Sequence, residues 1–453
     1  MSETPPVVFV VLDGTRKDRL SLYGHDRETS PNLDALASDA VVFENAYTPA
    51  SWSLPAHTSM FSGLYPSEHG INNVFSGEPF GSPETLETLS TELSAAGYRT
   101  GGFSANPWLG QNSGLDTGFD LFVEWDLELS NVPEDWSTTQ RDRLFSKLHT
   151  VLGKASQQPL ALLKDDFFTD RLFDTAVRWI TDDAAPSYSF LNVMGSHTPY
   201  YPSRDAFEDL GLERPSLLEP RLLNAKIVKD QLQGQGTAVS NTERIREYYD
   251  STIRSQDERL GAFLDRLRAG GVYDDALIIV TADHGKTLGE FDRNADPSHT
   301  LRDINVNVPL VVKFPEQRHH QRVSDPFEMV NLGEFVFADD PHPTLAESAT
   351  SQYALIEDYV PHTADEPKEV TRWRALTDGQ TKYVVDDSGT EYLLEGTGPA
   401  ESLITDRPRL ESMRAAMETK LSSLDSGEPA GTQETAELDE DVKSQLKDIG
   451  YLG

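Results

Sequence analysis

The sequence has no cysteine among its 453 residues. Disulfides, thiolate metal sites, cysteine nucleophiles and iron–sulfur clusters are therefore excluded. Positive charge is scarce as well: 39 Lys and Arg stand against 75 Asp and Glu, a formal charge of −36. A surface this negative repels nucleic-acid phosphates and anionic lipid headgroups, so no nucleic-acid partner is expected. No run of about 18 apolar residues occurs, so no membrane span is expected. The opening MSETPPVVFVVLDG has no basic n-region and no small-residue cleavage site, and it enters a strand pattern almost at once. That predicts a cytoplasmic chain without a signal peptide.

What is present is a long chain with several dense apolar runs. Its length predicts two or three domains, or one large domain with an appendage. Acidic residues are scattered rather than gathered in a tail, and Arg outnumbers Lys about two to one. This pattern matches cytosolic proteins of salt-loving organisms, whose carboxylates hold hydration and tolerate screening; an ordinary acidic protein is the plainer alternative. The runs VVFVVL (Val7–Leu12), SYSFLNVMG and ALIIV (Ala276–Val280) read as buried strands. Helical signals stand between them. Ser30–Ala40 has Ser30 as a cap with Pro31 in the first turn, Phe168–Ile180 is amphipathic, and Ile253–Leu267 places Leu260, Phe263, Leu264 and Leu267 at helical spacing. Repeated helix–strand alternation before residue 315 predicts an α/β fold: a mostly parallel sheet with helices on both faces. An insertion is expected at about 125–165. Beyond residue 345 the turn signals Asp-Gly and Ser-Gly predict antiparallel hairpins in a smaller subdomain, 346–423. A flexible linker (424–440) and a terminal helix (441–453) are expected to follow.

In open α/β sheets, ligands bind beyond the carboxyl ends of the strands. Asp13 ends the first apolar run, Asp283 and His284 end ALIIVTA, and His197 follows SFLNVMG. Carboxylate and imidazole together suit a divalent cation such as Mn²⁺, Zn²⁺ or Mg²⁺, whereas an all-oxygen site favours Ca²⁺. Taken singly, each residue has an ordinary structural reading, as a turn aspartate, a helix cap or a satisfied polar histidine. Two adjacent ionisable groups at a buried strand end are harder to explain, because they are costly unless paired or metal-bound. The segment TPASWSLPAHTSMFSGLYPSEHG (Thr48–Gly70) places Ser53 at a helix start, where it is either an N-cap or a hydroxyl assisted by the helix dipole.

These segments together resemble the sulfatase family of the alkaline phosphatase superfamily. VVFVVLDGTRKDRLSLYGHDRETSPNLDALASDAVVFENAYTPASWSLPAHTSMFSGLYPSEHG is similar, in order and spacing, to its N-terminal signature. YDSTIRSQDERLGAFLDRLRAGGVYDDALIIVTADHGKTLGE and SHTLRDINVNVPLVVK resemble its later active-site stretches, and RALTDGQTKYVVDDSGTEYLL and LKDIGYLG its C-terminal subdomain and tail. The resemblance implies a metal-dependent ester hydrolase acting on a small-molecule or glycan anionic ester. It implies one divalent ion (Ca, Mn, Mg or Zn) held by Asp13, Ser53, Asp283 and His284, with Ser53, or formylglycine made from it, as nucleophile. His197 and His299 would hold the ester and assist the leaving group. Asn73, Ser104 and Asn106 fall where some members place further oxyanion contacts, and Lys286 either approaches the substrate anion or pairs with acidic neighbours.

Two positions depart from the family pattern. Many members carry two aspartates at the first strand end, where this chain has Asp13-Gly14; Asp18 lies five residues on and is not expected to substitute. The sulfate-ester enzymes usually follow the nucleophile with x-Pro-x-Arg, where this chain has Leu54-Pro55-Ala56-His57. His57 thus stands at the arginine, as a further catalytic candidate. The departure gives weight to phosphate or phosphonate esters as alternative substrates for a plain serine. A phospho-group transferase and a non-enzymatic glycan binder are the other readings.

Overall fold

The computed structural model describes residues 4–71, 83–106, 108–111, 113–124, 167–183, 185–232, 242–290, 300–360 and 371–424. The insertion expected at 125–165, the linker beyond 424 and the terminal helix lie outside these residues.

Strand β1 (Val7–Leu12) is apolar at every position and buried at every position. Val7, Phe9 and Val11 enter one hydrophobic cluster and Val8, Val10 and Leu12 another. A strand with two apolar faces has to lie inside a sheet covered on both sides. Eight further strands join it: β2 (Val41–Tyr47), β3 (Arg99–Ser104), β4 (Leu121–Val123), β5 (Ser187–Val193), β6 (Leu277–Thr281), β7 (Asn307–Lys313), β8 (Gln321–Val323) and β9 (Phe327–Glu328). Their order is β4-β3-β5-β1-β6-β7-β2-β8, with β9 also on β2. Pairing is parallel from β4 through β6 and again between β2 and its neighbours β8 and β9, while β7 runs antiparallel to both β6 and β2.

The helices follow the apolar spacing. Helix α1 (Pro31–Ala37) starts at the expected proline, although Ser30 makes no side-chain cap and bonds Ser21 and Asp34 instead. Helix α2 (Ser53–Ser62) is buried almost throughout. Helices α3 (Phe167–Thr181) and α4 (Thr242–Ala269) pack together on one face, joined by the Phe173–Phe263 ring contact at 4.8 Å. Helix α4 is far longer than its apolar stripe predicts. Its first turns are rich in charge, and it gains its buried residues Ile245, Tyr248 and Tyr249 from tertiary packing.

The second sheet is antiparallel throughout, in sequence order: β10 (Ala354–Val360), β11 (Thr371–Thr377), β12 (Thr381–Asp386), β13 (Glu391–Glu395) and β14 (Ser402–Ile404). Helix α5 (Arg407–Ser423) covers one face with Met413 and Met417, and the other face meets Tyr47, Leu301 and Val306 of the larger layer. A buried ion cluster reinforces that contact: Lys382 Nζ donates to Asp303 Oδ1 at 2.5 Å and Glu401 Oε1 at 2.8 Å. The second sheet is thereby fixed against the helical turn Asp303–Val306 that precedes β7.

Candidate active site

The register of the large sheet sets the site. Val11 of β1 pairs with Asn192 of β5 on one side and with Thr281 of β6 on the other. Asp13 and Asp283, each two residues further along, therefore leave adjacent strands at the same level. Both are fully buried. Asp283 Oδ1 accepts from the backbone N–H groups of Gly14 and His284, both at 2.9 Å. Asp13 Oδ2 accepts from Asn106 Nδ2 at 2.7 Å and Asn192 Nδ2 at 3.2 Å. The other oxygens, Asp13 Oδ1 and Asp283 Oδ2, are buried and accept no hydrogen bond among the described residues. Burial, and next the Asp283 charge, push the Asp13 carboxyl above its ordinary range.

His284 completes the cluster. Its Nδ1–H donates to Gly285 O at 2.7 Å, which leaves the Nε2 lone pair turned to the carboxylates. One ligand atom each from Asp13, Asp283 and His284 lie within 4.8 Å of one another. Two orphaned carboxylate oxygens and a lone-pair nitrogen, all buried, are a donor set for a divalent cation, and a histidine oriented through its second nitrogen is the usual outer-shell arrangement. The turn is tight: Gly285 N–H donates to Asn305 O at 2.7 Å, and a Cβ on Gly285 would stand 2.0 Å from Ile304 O. Only glycine admits that approach.

Ser53 is the first residue of α2, and Trp52 is the residue before the helix. The serine is therefore not the helix cap that its sequence position also allowed. Its Oγ lies 3.2 Å from His284 Nε2. The loop before it is pinned from two sides: Ser51 Oγ donates to Asp358 Oδ2 of β10 at 2.6 Å, and Asn305 Nδ2 donates to Ser51 O at 3.1 Å. The second sheet thus helps to place the hydroxyl.

His57 lies one turn along α2. Burial lowers its pKa to about 4, so the ring is neutral at neutral pH. Its Nδ1–H donates to Ser53 O at 2.8 Å, and its Nε2 accepts from Asn192 Nδ2 at 3.2 Å. Both nitrogens are engaged within the protein. His57 braces the Ser53 turn and brings no cation to the place where the family motif has arginine.

Asn192 was not among the residues the sequence singled out. A polar amide inside the apolar run SYSFLNVMG was the available signal, since a buried strand amide needs partners. Its Nδ2 bridges Asp13 and His57. Asn192→Leu is expected to weaken divalent-metal affinity about 10–100-fold, the usual effect of losing an outer-shell partner, as measured by calorimetric titration.

The remaining candidates divide. His197 is buried and donates from Nδ1 to Thr198 O at 2.7 Å. Asn106 holds Asp13, and its Oδ1 accepts from Trp108 N–H at 2.9 Å; Ser104 Oγ accepts from Asn106 N–H at 3.1 Å. Both polar residues at the end of β3 thus shape and support the carboxylate. Lys286 is buried beside Gly14. Asp18 pairs with Arg16 at 2.8 Å. Asn73 and His299 lie outside the described residues.

A family model described as Sulfatase matches residues 5–338. Among curated proteins, the chain is 22% identical to an ulvan-active sulfatase of Formosa agariphila, over 99% of this chain and 85% of that protein. It is also 22% identical to the N-acetylglucosamine-6-sulfatase of Capra hircus, over 73% of this chain but only 59% of that protein. Among solved structures, the phosphonate monoester hydrolase of Agrobacterium radiobacter superposes with a TM-score of 0.67 at 19% identity, covering 92% of this chain and 95% of that one. A structure holding its substrate D-glucosamine-2-N,6-O-disulfate superposes with a TM-score of 0.67 at 14% identity, covering 94% and 99%.

Proposed function

The chain belongs to the sulfatase family, and from that premise we propose that it hydrolyses sulfate esters of glycans or small molecules at the site built by Asp13, Ser53, Asp283 and His284. One observation carries the reading. One ligand atom each from Asp13, Asp283 and His284 lie within 4.8 Å of one another, each carboxylate has a buried oxygen that accepts no hydrogen bond among the described residues, and Ser53 Oγ stands 3.2 Å from His284 Nε2. A bound dication would supply Lewis acidity and lower the pKa of a hydroxyl beside it.

The chain's own residues account for the rest. Asn106, Asn192 and two backbone N–H groups fix the carboxylates before any ligand arrives, so little reorganisation is left for the reaction. His57 and Asp358 hold the serine turn at the N-terminus of α2, whose dipole favours negative charge. With a plain serine, Ser53 Oγ gives up its proton as it forms a bond to sulfur, the ester S–O bond breaks, and the departing oxygen takes up a proton and leaves as the alcohol. Water then attacks the sulfo-serine, its Oγ–S bond breaks, and sulfate and a proton are released as the serine hydroxyl is restored. His197 is buried, and its Nδ1–H, held by Thr198 O at 2.7 Å, fixes the orientation of the ring. Conversion of Ser53 to formylglycine would leave the positioning unchanged and alter only how the sulfate departs.

The test is a panel of aryl sulfate, phosphate and phosphonate esters with several divalent metals, alongside the intact mass of active enzyme. Sulfate turnover highest across the panel is expected, rising from low to molar salt as the field of a −36 chain is screened. Phosphate or phosphonate turnover above sulfate, with an unmodified Ser53 mass, would replace this reading by the phospho-ester one.

A further inference from the structure

The turn that carries Asp13 is held by hydroxyl groups from distant elements. The peptide between Asp13 and Gly14 touches both ligand residues, because it follows Asp13 and its N–H donates to Asp283 Oδ1 at 2.9 Å. Its carbonyl, Asp13 O, accepts from Ser196 Oγ at 2.8 Å. The proton of the Ser196 hydroxyl is thereby committed, so Thr15 is the donor in the 2.5 Å contact between the Thr15 and Ser196 hydroxyls. The next carbonyl, Gly14 O, accepts from Tyr249 Oη at 2.7 Å, and the phenol oxygen in turn accepts from Arg16 N–H at 2.8 Å. Thr15, Ser196 and Tyr249 are all buried.

The need for such ties follows from the residue at the centre of the turn. Gly14 has φ +66°. Glycine takes either sign of φ at little cost, so the turn has little preference of its own for one orientation of its peptides. One bond within it is local, from Thr15 N–H to Leu12 O at 3.1 Å. The bonds to Ser196, Asp283 and Tyr249 span 183 to 269 residues of chain. A swing of the Asp13–Gly14 peptide would withdraw the N–H from Asp283 Oδ1 and leave Asp13 O, a buried acceptor, without its partner. Arg16 carries the same constraint to the second ligand turn: its Nη1 donates to Lys286 O at 3.2 Å and to Glu290 Oε1 at 3.0 Å. Tyr249 is itself anchored in the core face of α4, with its ring 5.8 Å from that of Tyr200.

We propose that Tyr249 and Ser196 are positioning residues of the metal centre: their hydroxyls fix the two peptides around Gly14, and so set the Asp13 and Asp283 carboxylates relative to one another before a cation binds. The assignment rests on the metal-dependent reading above. Both residues act on Asp13 through its backbone, and a ligand held this way loses less freedom when the ion arrives.

The experiment is a calorimetric titration with Mn²⁺ alone of the parent, Y249F, S196A and Y248F proteins, each shown to be folded by circular dichroism. Tyr248 is the neighbour of Tyr249 on α4 and packs its ring 5.1 Å from that of Phe207. Y249F and S196A are each expected to bind Mn²⁺ about tenfold more weakly or worse, the scale of a lost outer-shell partner. Y248F is expected to keep the parent's affinity. A merely structural hydroxyl would lower the melting temperature and leave the Mn²⁺ affinity of the folded protein where it was. Unchanged affinity in Y249F or in S196A therefore overturns the assignment of that residue, and an equal loss in Y248F overturns that of Tyr249. If Y249F does not fold, S196A decides the proposal, and unchanged affinity there overturns it. A parent protein that takes up no Mn²⁺ overturns the metal-dependent reading itself and this inference with it.

Discussion

Ser53→Ala is expected to lower ester turnover by at least about 10³-fold, since removing the proposed covalent nucleophile leaves only the catalysis due to binding and charge stabilisation. Its melting temperature stays within about 3 °C of the parent's, because the lost group is one hydroxyl whose described side-chain partner is His284 Nε2. Metal affinity falls only modestly, as Asp13, Asp283 and His284 remain. Single-turnover kinetics and differential scanning calorimetry on the same preparation separate these effects. Turnover within tenfold of the parent's would move the nucleophile elsewhere, and a collapsed melting temperature would make Ser53 a structural residue of α2. The intact mass of the parent then tells serine from formylglycine, which the alanine variant alone does not.

Asp283→Asn has the second large effect, and it acts in opposite directions on ligand binding and on the fold. One of two ligand carboxylates is lost, so divalent-metal affinity falls by more than about 10²-fold, beyond the loss seen for an outer-shell partner, and turnover falls with it. The EDTA-treated variant is nevertheless expected to melt above the EDTA-treated parent. An asparagine keeps an oxygen for the Gly14 and His284 N–H groups, and its amide nitrogen takes the place of the oxygen that stands 3.4 Å from His284 Nε2, to which it can donate. The like-charge contact disappears. The pH dependence has a definite sign. Asp13 has a native pKa raised by burial and then by Asp283, so the metal-free native state holds its proton more tightly than the unfolded chain. That contribution is fully present below the ordinary carboxyl pKa and is lost as pH rises through the raised one. The melting temperature of metal-free parent should therefore fall across that window. The gain on adding metal should grow with pH, and both trends should flatten in the variant. Calorimetric scans from pH 4 to 8, with and without metal, measure this.

The two variants bear on the same feature, a buried pair of carboxylates beside Ser53, whose turn is held by two layers of the protein. Asp358 comes from the second sheet and reaches Ser51, two residues before Ser53. The ion cluster of Lys382, Asp303 and Glu401 ties that sheet to the helical turn Asp303–Val306, whose Asn305 itself bonds Ser51 O. The smaller layer thus takes part in placing the Ser53 hydroxyl.

The sequence by itself determined the sheet and the ends of its central strands. Uninterrupted apolar runs such as Val7–Leu12 cannot face water on either side, and the polar residues that close them have to emerge at the carboxyl edge, so Asp13, Asp283 and His284 were legible as a group. Motif order alone also placed Ser53 near them. Only the tertiary structure decided what each neighbour does. Whether Ser53 caps its helix or faces His284, whether His57 carries charge, and whether Asn106 meets ligand or carboxylate depend on contacts across 93 to 231 residues of chain, and local spacing carries no record of these. Asn192 shows this most clearly: as one letter in a strand it is only an oddity, and it becomes the bridge between Asp13 and His57 because register sets β5 beside β1. The close approach at Gly14, where a Cβ would stand 3.0 Å from Lys286 Nζ, is of the same kind, since excluded volume acts between residues brought together in space.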